Sequence, residues 1–435
     1  MVLAPIDGHW FLRGVPQDVI KRVAIPTSTI NFAIFMLSNI YCKLNKFDAK
    51  SEALSEINAK LIVENPNNLA KLQKNHGDFF AIAATQHELQ HKAIKKLPQW
   101  LKAGCLLDKR AYEQCTSEDV AIWKAHFFKS QRLLSLTGGL GVDDWAWANT
   151  GTDVTSVDNN GHLNCLVKYN FSRLNVNINR HTITAENFIE SAIMDHYDLV
   201  YIDPDRRDGQ NRIGSKVDQY SPNIFAIIEQ FPKNAFLIKV SPMIDSDFLL
   251  KTINRSLEFY SVVHQNEVKE LLMYIHPSKV NVPHKKEMVN IERQTYFYYS
   301  QLEGKLVEEW MFFEPNSGIF NLKINRLLHD GQNTVALNEQ HTFFKTKLIY
   351  PKQMGRLFTM KRTEPIVGGL NKIGKFLRDE MGVMEASITA RECKIPTDEI
   401  RKTLKLKESD QCFVMITKNK KEFEAWLCEK FIYSS

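Results

Sequence analysis

Three places in this 435-residue chain put residues able to do chemistry at the ends of apolar runs. They are Ser135-Leu136-Thr137-Gly138-Gly139-Leu140-Gly141-Val142-Asp143, then Asp158, then Asp203-Pro204-Asp205-Arg206-Arg207. Glycines at 138, 139 and 141 let the backbone turn tightly after a strand and approach a ligand with no Cβ in the way. Asp158 closes the next apolar run, where a carboxylate can accept both hydroxyl hydrogen bonds of a ribose. Thr137, Gly138, Gly139, Gly141, Asp143 and Asp158 are therefore candidate cofactor contacts. Dinucleotide, flavin and methyl-donor sites all use such a loop, so residue types alone leave the three open. The structural alternative is a turn followed by a helix-capping Asp.

Pro204 stops its strand and removes an N–H, which leaves the Asp203 carboxylate at a sheet edge where a reacting group would sit. The guanidinium forks of Arg206 and Arg207 suit phosphate or carboxylate, against the plainer reading of an Asp–Arg pair that fixes the loop. Glu186-Asn187-Phe188 is expected to end the third strand. There Asn187 would read an adenine edge and Phe188 cover its face, unless Phe188 is plain core.

These residues need a scaffold of alternating strands and helices. Strands are expected at Leu133–Leu136, Asp153–Asp158, within Asn175–Phe188, at Tyr197–Asp203 and at Ala235–Val240, with helices starting at Asp143, over Asn160–Leu174 and over Ser221–Gln230. That alternation implies right-handed crossovers and a parallel sheet with ligands at the carboxyl ends of its strands. Residues 1–125 show three- and four-residue apolar spacing and read as a helical region. Beyond about 280, Gln294–Ser300 and Lys305–Phe313 flank Glu303-Gly304 and read as an antiparallel hairpin. Further on, Cys412–Thr417 reads as a strand and Asp398–Leu404 as a helix.

Charge is unevenly placed. From His341 to Ser435 there are 19 Lys+Arg against 12 Asp+Glu, whereas the whole chain carries only +6. A basic module beside a near-neutral one suits a polyanionic partner; a solvated charged surface is the bland reading. The seven cysteines contain no Cys-x-x-Cys pair, and Met1–Gly14 lacks a basic start followed by an apolar core. Both features lead us to expect reduced thiols in a cytoplasm. The longest apolar stretch, Phe32–Leu37, is too short to span a bilayer. His87-Glu88-Leu89-Gln90-His91 has the spacing of a zinc pair but no identified third ligand, so no metal site is expected and the segment reads as a polar helix face.

The order of strands, the glycine loop and the acids resemble class I S-adenosylmethionine-dependent methyltransferases. Ser135 stands where that superfamily usually has Asp or Glu, and Thr137 where its first glycine lies. A closer resemblance is to bacterial proteins described as methyltransferases with a THUMP-like carboxyl-terminal domain. It is carried by Lys96–Trp100, Glu113–Glu118 with Ala121 and Lys124-Ala125, Leu136–Asp143, Tyr201–Asp208, Lys239–Asp245, Glu270-Leu-Leu, Phe313–Asn316 and Leu404–Glu408. Thr116-Ser-Glu118 is also similar to the entry helix of trimethylguanosine synthase relatives, which implies that Glu118 lies over the methyl donor.

The resemblance implies an α/β fold, with a Rossmann-like methyltransferase core at 126–280 after the helical region of 1–125. It implies a small ferredoxin-like α+β domain at 281–345 and a THUMP-like basic domain at 346–435. Its cofactor would be S-adenosyl-L-methionine and its partner RNA, either tRNA or rRNA. Asp203 would orient or deprotonate the acceptor, and Arg206 and Arg207 would hold a nearby phosphate. The tetrad Asn/Asp-Pro-Pro-aromatic of amino-group methylation is not matched, because Asp205 and Arg206 fill its last two places. The target atom stays open. A small-molecule methyltransferase and a non-catalytic RNA-binding protein are the competing classes.

Overall fold

The protein is described by a computed structural model at residues 3–6, 9–12, 86, 88–204, 207–208, 211–212, 220–242, 244–264, 267–292, 295–299, 303–419 and 422–433. Leu3–Ile6 and His9–Leu12 form an antiparallel pair rather than helix. Helices α1 (Pro98–Lys102), α2 (Lys109–Gln114) and α3 (Glu118–Phe127) follow. Asp108 caps α2 by accepting the Ala111 N–H, which the residue type at that position favours.

The core sheet has nine strands: β1 (Arg132–Ser135), β2 (Asp153–Asp158), β3 (Asn179–Thr182), β4 (Leu199–Ile202), β5 (Ala235–Val240), β6 (Leu257–His264), β7 (Glu267–Ile275), β8 (Lys285–Glu292) and β9 (Thr295–Tyr299). Their spatial order is β3-β2-β1-β4-β5-β7-β6-β8-β9. Strands β3 to β5 run parallel, and β7 is antiparallel to both of its neighbours. The crossovers carry α4 (Val142–Asn149), α5 (Gly161–Arg173), α6 (Ala185–Ser191) and α7 (Ile224–Gln230), and α8 (Ser246–Thr252) follows β5. Every residue of β4 and β5 is buried, as expected of strands covered on both faces. From β1 the chain moves outward to β2 and β3, then returns to lay β4 on the other side of β1. The reversal opens a crevice at the carboxyl ends of β1 and β4.

One face of this sheet packs Leu133, Val154, Leu199, Tyr201 and Leu237 against Trp100, Trp123, Trp145 and Trp147 of the flanking helices. The other face packs Leu134, Val200, Ile202, Phe236 and Ile238 against α7, α8 and a second sheet. That sheet comprises β10 (Lys305–Pro315), β11 (Thr334–Ala336), β12 (Phe344–Ile349), β13 (Gly355–Met360), β14 (Ile366–Gly368), β15 (Ser387–Arg391), β16 (Cys412–Asn419) and β17 (Glu422–Lys430). Between β10 and β11 lies α9 (Ser317–Asn321); α10 (Leu370–Asp379) and α11 (Thr397–Leu404) cover the far end.

The expected hairpin around Glu303-Gly304 does not form. β9 pairs with β8 in the core sheet, whereas β10 pairs with β12 and β13 in the second sheet. The strands are where alternation puts them; their partners are distant in sequence and invisible to it. Two expected domain edges are crossed as well. Residues 285–299 extend the core sheet, and strands on either side of residue 346 share one sheet. Gly318 of α9 sits so close to Val263 and Met288 of the core sheet that a Cβ there would lie 2.6 Å from Val263 Cγ2. Among the described residues no helix is long and apolar enough to cross a membrane.

Candidate functional site

The glycine loop leaves β1 and folds over the end of β2, with the Gly138 N–H donating to the Val157 carbonyl at 2.9 Å. Gly141 caps α4 in the left-handed region, φ 85°, and a Cβ there would strike the Phe171 ring at 2.6 Å. At Gly138 a Cβ would lie 2.4 Å from both the Arg180 guanidinium and Ser156 Oγ. Glycine is thus demanded at 141 by dihedral angle and at 138 by crowding.

Asp158 ends β2 as expected, and its carboxylate joins the loops that follow β1 and β2. Oδ2 accepts the Gly139 N–H at 2.9 Å, and Oδ1 accepts the Asn160 N–H at 2.8 Å. Oδ2 also lies 3.8 Å from Arg180 Nη2, beyond hydrogen-bond reach, so each oxygen keeps a second acceptor position, and the side chain is 16% exposed. Beneath the loop lies Arg180 of β3, its side chain wholly buried. It donates to the Gly139 carbonyl at 2.7 Å, to Asn164 Oδ1 at 2.7 Å, to Ser156 Oγ at 3.0 Å and to Asp144 Oδ2 at 3.2 Å. Burial raises the pKa of Asp144 and lowers that of Arg180, outweighing at both ends the attraction between them. Arg180 therefore joins the backbone of the glycine loop to the strand beyond it. Sequence reasoning missed it; the one signal was an arginine inside a short strand.

A second polar group lies across the crevice, where β4, β5 and β7 meet α3. Lys124 Nζ is 2.8 Å from Asp143 Oδ1 and 2.7 Å from Glu270 Oε2. It also donates to the Tyr201 hydroxyl at 3.2 Å. Lys239 Nζ is 2.9 Å from Asp203 Oδ2 and 3.2 Å from Glu270 Oε1. The Thr116 hydroxyl lies 2.8 Å from Asp143 Oδ2 and 2.7 Å from Glu270 Oε1, and donates to one at a time. Burial pushes Glu270 up, but Lys124 and Lys239 outweigh it and hold its carboxyl down to about 2. Burial pushes Lys239 down, yet Asp203, Glu270 and Asp143 hold it well above the usual lysine range. Tyr201 is raised well above its ordinary 10, by burial first and then by the Asp143 charge. The two groups are stitched together where Thr137 Oγ1 accepts the Asp203 N–H at 2.6 Å.

Of the residues expected to act, Thr137, Gly138, Gly139, Gly141 and Asp158 meet at one end of the crevice, and Asp143 and Asp203 at the other. Three departures stand out. Glu118 is committed to α1, accepting the Gln99 N–H at 3.0 Å and the Trp100 N–H at 2.9 Å, and burial raises its pKa. Asn187 and Phe188 do not end a strand. β3 stops at Thr182, and Thr184 caps α6 by accepting the Asn187 N–H, so both residues belong to a helix. The Phe188 ring lies 5.2 Å from His181, against the core. Arg206 lies outside the described residues, and Arg207 is described only by its backbone pairing with Arg212. His87 also lies outside them; Glu88 pairs with Lys92 at 2.5 Å on an exposed face. Lys124, Lys239 and Glu270 fall inside the stretches that carry the family resemblance, with no role legible there.

No family model matches the sequence, and no curated protein does. Among solved structures, the chain is similar to a protein of Porphyromonas gingivalis W83 provisionally designated a methyltransferase. Identity is 21%, coverage is 89% of this chain and all of that one, and the TM-score is 0.72. A class I S-adenosylmethionine-dependent methyltransferase, so designated provisionally, of Listeria monocytogenes gives 15% identity, coverage of 61% and 91%, and a TM-score of 0.33. A T. thermophilus 16S rRNA N2 G1207 methyltransferase, solved with AdoMet and guanosine, gives 13%, coverage of 40% and 43%, and 0.29. The first of these likenesses, together with the strand order above, shows the Rossmann-like methyltransferase fold.

Proposed function

We propose that the protein is an S-adenosylmethionine-dependent methyltransferase of the cytoplasm acting on tRNA or rRNA. The observation that carries this reading is the convergence of the glycine loop, Asp158 and Asp203 on the crevice where the strand order reverses. The residues suit the donor. Asp158, with acceptor capacity left on both oxygens, would hold the ribose hydroxyls, and the loop from Thr137 to Gly141 would lie against the rest of the molecule. Bound there, the donor supplies an electrophilic methyl group on a sulfonium. Positioning and electrostatics then dominate, with no covalent enzyme intermediate needed.

Asp203, anchored by Lys239 and by its own N–H on Thr137, would accept a hydrogen bond from the acceptor and aim its lone pair at the methyl group. Arg206 and Arg207 would hold an adjacent phosphate. The THUMP-like unit would supply RNA affinity, supported by the excess of 19 Lys+Arg over 12 Asp+Glu after residue 341.

Calorimetry with S-adenosylmethionine tests the donor site: Asp158→Ala is expected to weaken binding, and equal affinity for both proteins refutes the assignment. The RNA reading calls for point variants, because residues 346–435 share a sheet and a core with the remainder. Lys372→Glu with Lys375→Glu, on the exposed side of α10, is expected to weaken tRNA or rRNA binding and flatten its salt dependence. Mass spectrometry of modified nucleosides from a deletion strain then identifies the product.

A further inference from the structure

The polar group around Asp203 carries an unbalanced charge. Lys124 and Lys239 face Asp143, Asp203 and Glu270, so formal charges leave one negative in excess. Both lysines and Glu270 are buried, with side-chain exposures of 0%, 8% and 2%, and their ammonium and carboxylate contacts are made within the group. The members that reach the surface are Asp203, at 25%, and Asp143, at 12%. Among the described residues no other cation pairs with either. Buried lysines held by two carboxylates each cannot swing out to neutralise a ligand, so within this group of five side chains the excess charge is fixed.

Resting on the donor reading above, we propose that Asp203 and Asp143, backed by the buried Lys124–Glu270–Lys239 chain, make the site read ligand charge. It would hold the sulfonium donor more tightly than the demethylated product. The chemistry supplies the difference. S-adenosylmethionine carries a sulfonium, an ammonium and a carboxylate, or +1. Transfer of the methyl group breaks the S–C bond and leaves its electron pair on sulfur, so the thioether product is neutral. A group with one excess negative charge loses an attractive partner at the moment of reaction, which favours product departure. The same group would favour any donor analogue that keeps a cation at the sulfur position.

The test is calorimetry on the full-length protein with S-adenosylmethionine, S-adenosylhomocysteine and the amine analogue in which a protonated C–NH3 group replaces S–CH3. Wild type is expected to bind both cationic ligands about tenfold more tightly than the thioether, the scale of one unscreened charge near a partly exposed carboxylate. Asp203→Asn is expected to bring that ratio close to one, and Asp143→Asn to lower it by less. The wild-type comparison of amine analogue with thioether needs no variant, so it decides the matter even if a substitution prevents folding. Equal or tighter thioether binding by wild type, or a ratio unmoved in Asp203→Asn, overturns the proposal while leaving the donor site standing. Binding of none of the three by wild type overturns the donor reading itself, and this inference with it.

Discussion

Replacing Arg180 with leucine takes away the guanidinium that the Gly139 carbonyl, Asn164, Ser156 and Asp144 all use. Asp144 is 1% exposed, so its carboxyl would be left with no cation beside it and must either carry a buried charge or hold a proton. Removing one partner of a buried pair costs about 3–5 kcal/mol, and the two carbonyl-type acceptors left without a donor add about 1 kcal/mol each. Relief of the arginine's own desolvation, which already lowers its pKa, offsets part of this. A net loss of about 3–5 kcal/mol is expected at neutral pH.

The pH dependence separates this cause from a packing defect. Burial already raises Asp144 above its ordinary 3.8, and loss of Arg180 raises it further. The native state then keeps a proton that the unfolded chain gives up, so the variant's stability falls as pH rises from about 4. Urea unfolding of Arg180→Leu at pH 5 and pH 8 should show the deficit growing with pH. Adding Asp144→Asn should remove the growth and restore part of the stability. If Arg180→Leu matches wild type at pH 8, or the double variant keeps the same slope, the account of Arg180 as the counter-charge of Asp144 is wrong.

Glu270, held at about 2 against an ordinary 4.5, contributes stability that is present above about pH 4.5 and lost as pH falls toward 2. The loss is on the order of 3 kcal/mol, and its absence from the acid limb of Glu270→Gln is the check. Glu118→Ala should cost about 1–3 kcal/mol by orphaning the N–H groups of Gln99 and Trp100, yet leave S-adenosylmethionine affinity unchanged. A selective loss of that affinity would return Glu118 to the donor site. Gly138→Ala, with its methyl group 2.4 Å from Arg180 and Ser156, should weaken donor binding and stability together, read by calorimetry and urea titration.

The core strands and the glycine loop were legible because their signals are local. Leu133-Leu134 and Leu199–Ile202 are apolar runs closed by turn formers, and glycines at 138 and 141 answer to a fixed angle and a close approach. The end of β3 was misread although Thr184, three residues before Asn187, is a good helix cap. The roles of Glu118, Lys124 and Glu270 were not legible at all. Glu118 caps a helix 20 residues earlier, and Lys124 meets Glu270 across 146 positions. Such pairs are created by the fold, and a buried lysine in α3 has the same letter as one on its surface. The partners of β9 and β10 were hidden for the same reason.

The contact of α9 with the core sheet has a mechanical consequence. Gly318 presses on Val263 and Met288, Asn321 donates to the Pro242 carbonyl at 2.5 Å, and Lys323 pairs with Asp245 at 2.8 Å, just beyond the strand that carries Lys239. The two sheets are thus clamped at α9 like the jaws of a caliper. If the proposed RNA is gripped on the second sheet, it would meet the crevice at a set span, and the acceptor atom would be chosen by measured length as well as by its chemistry.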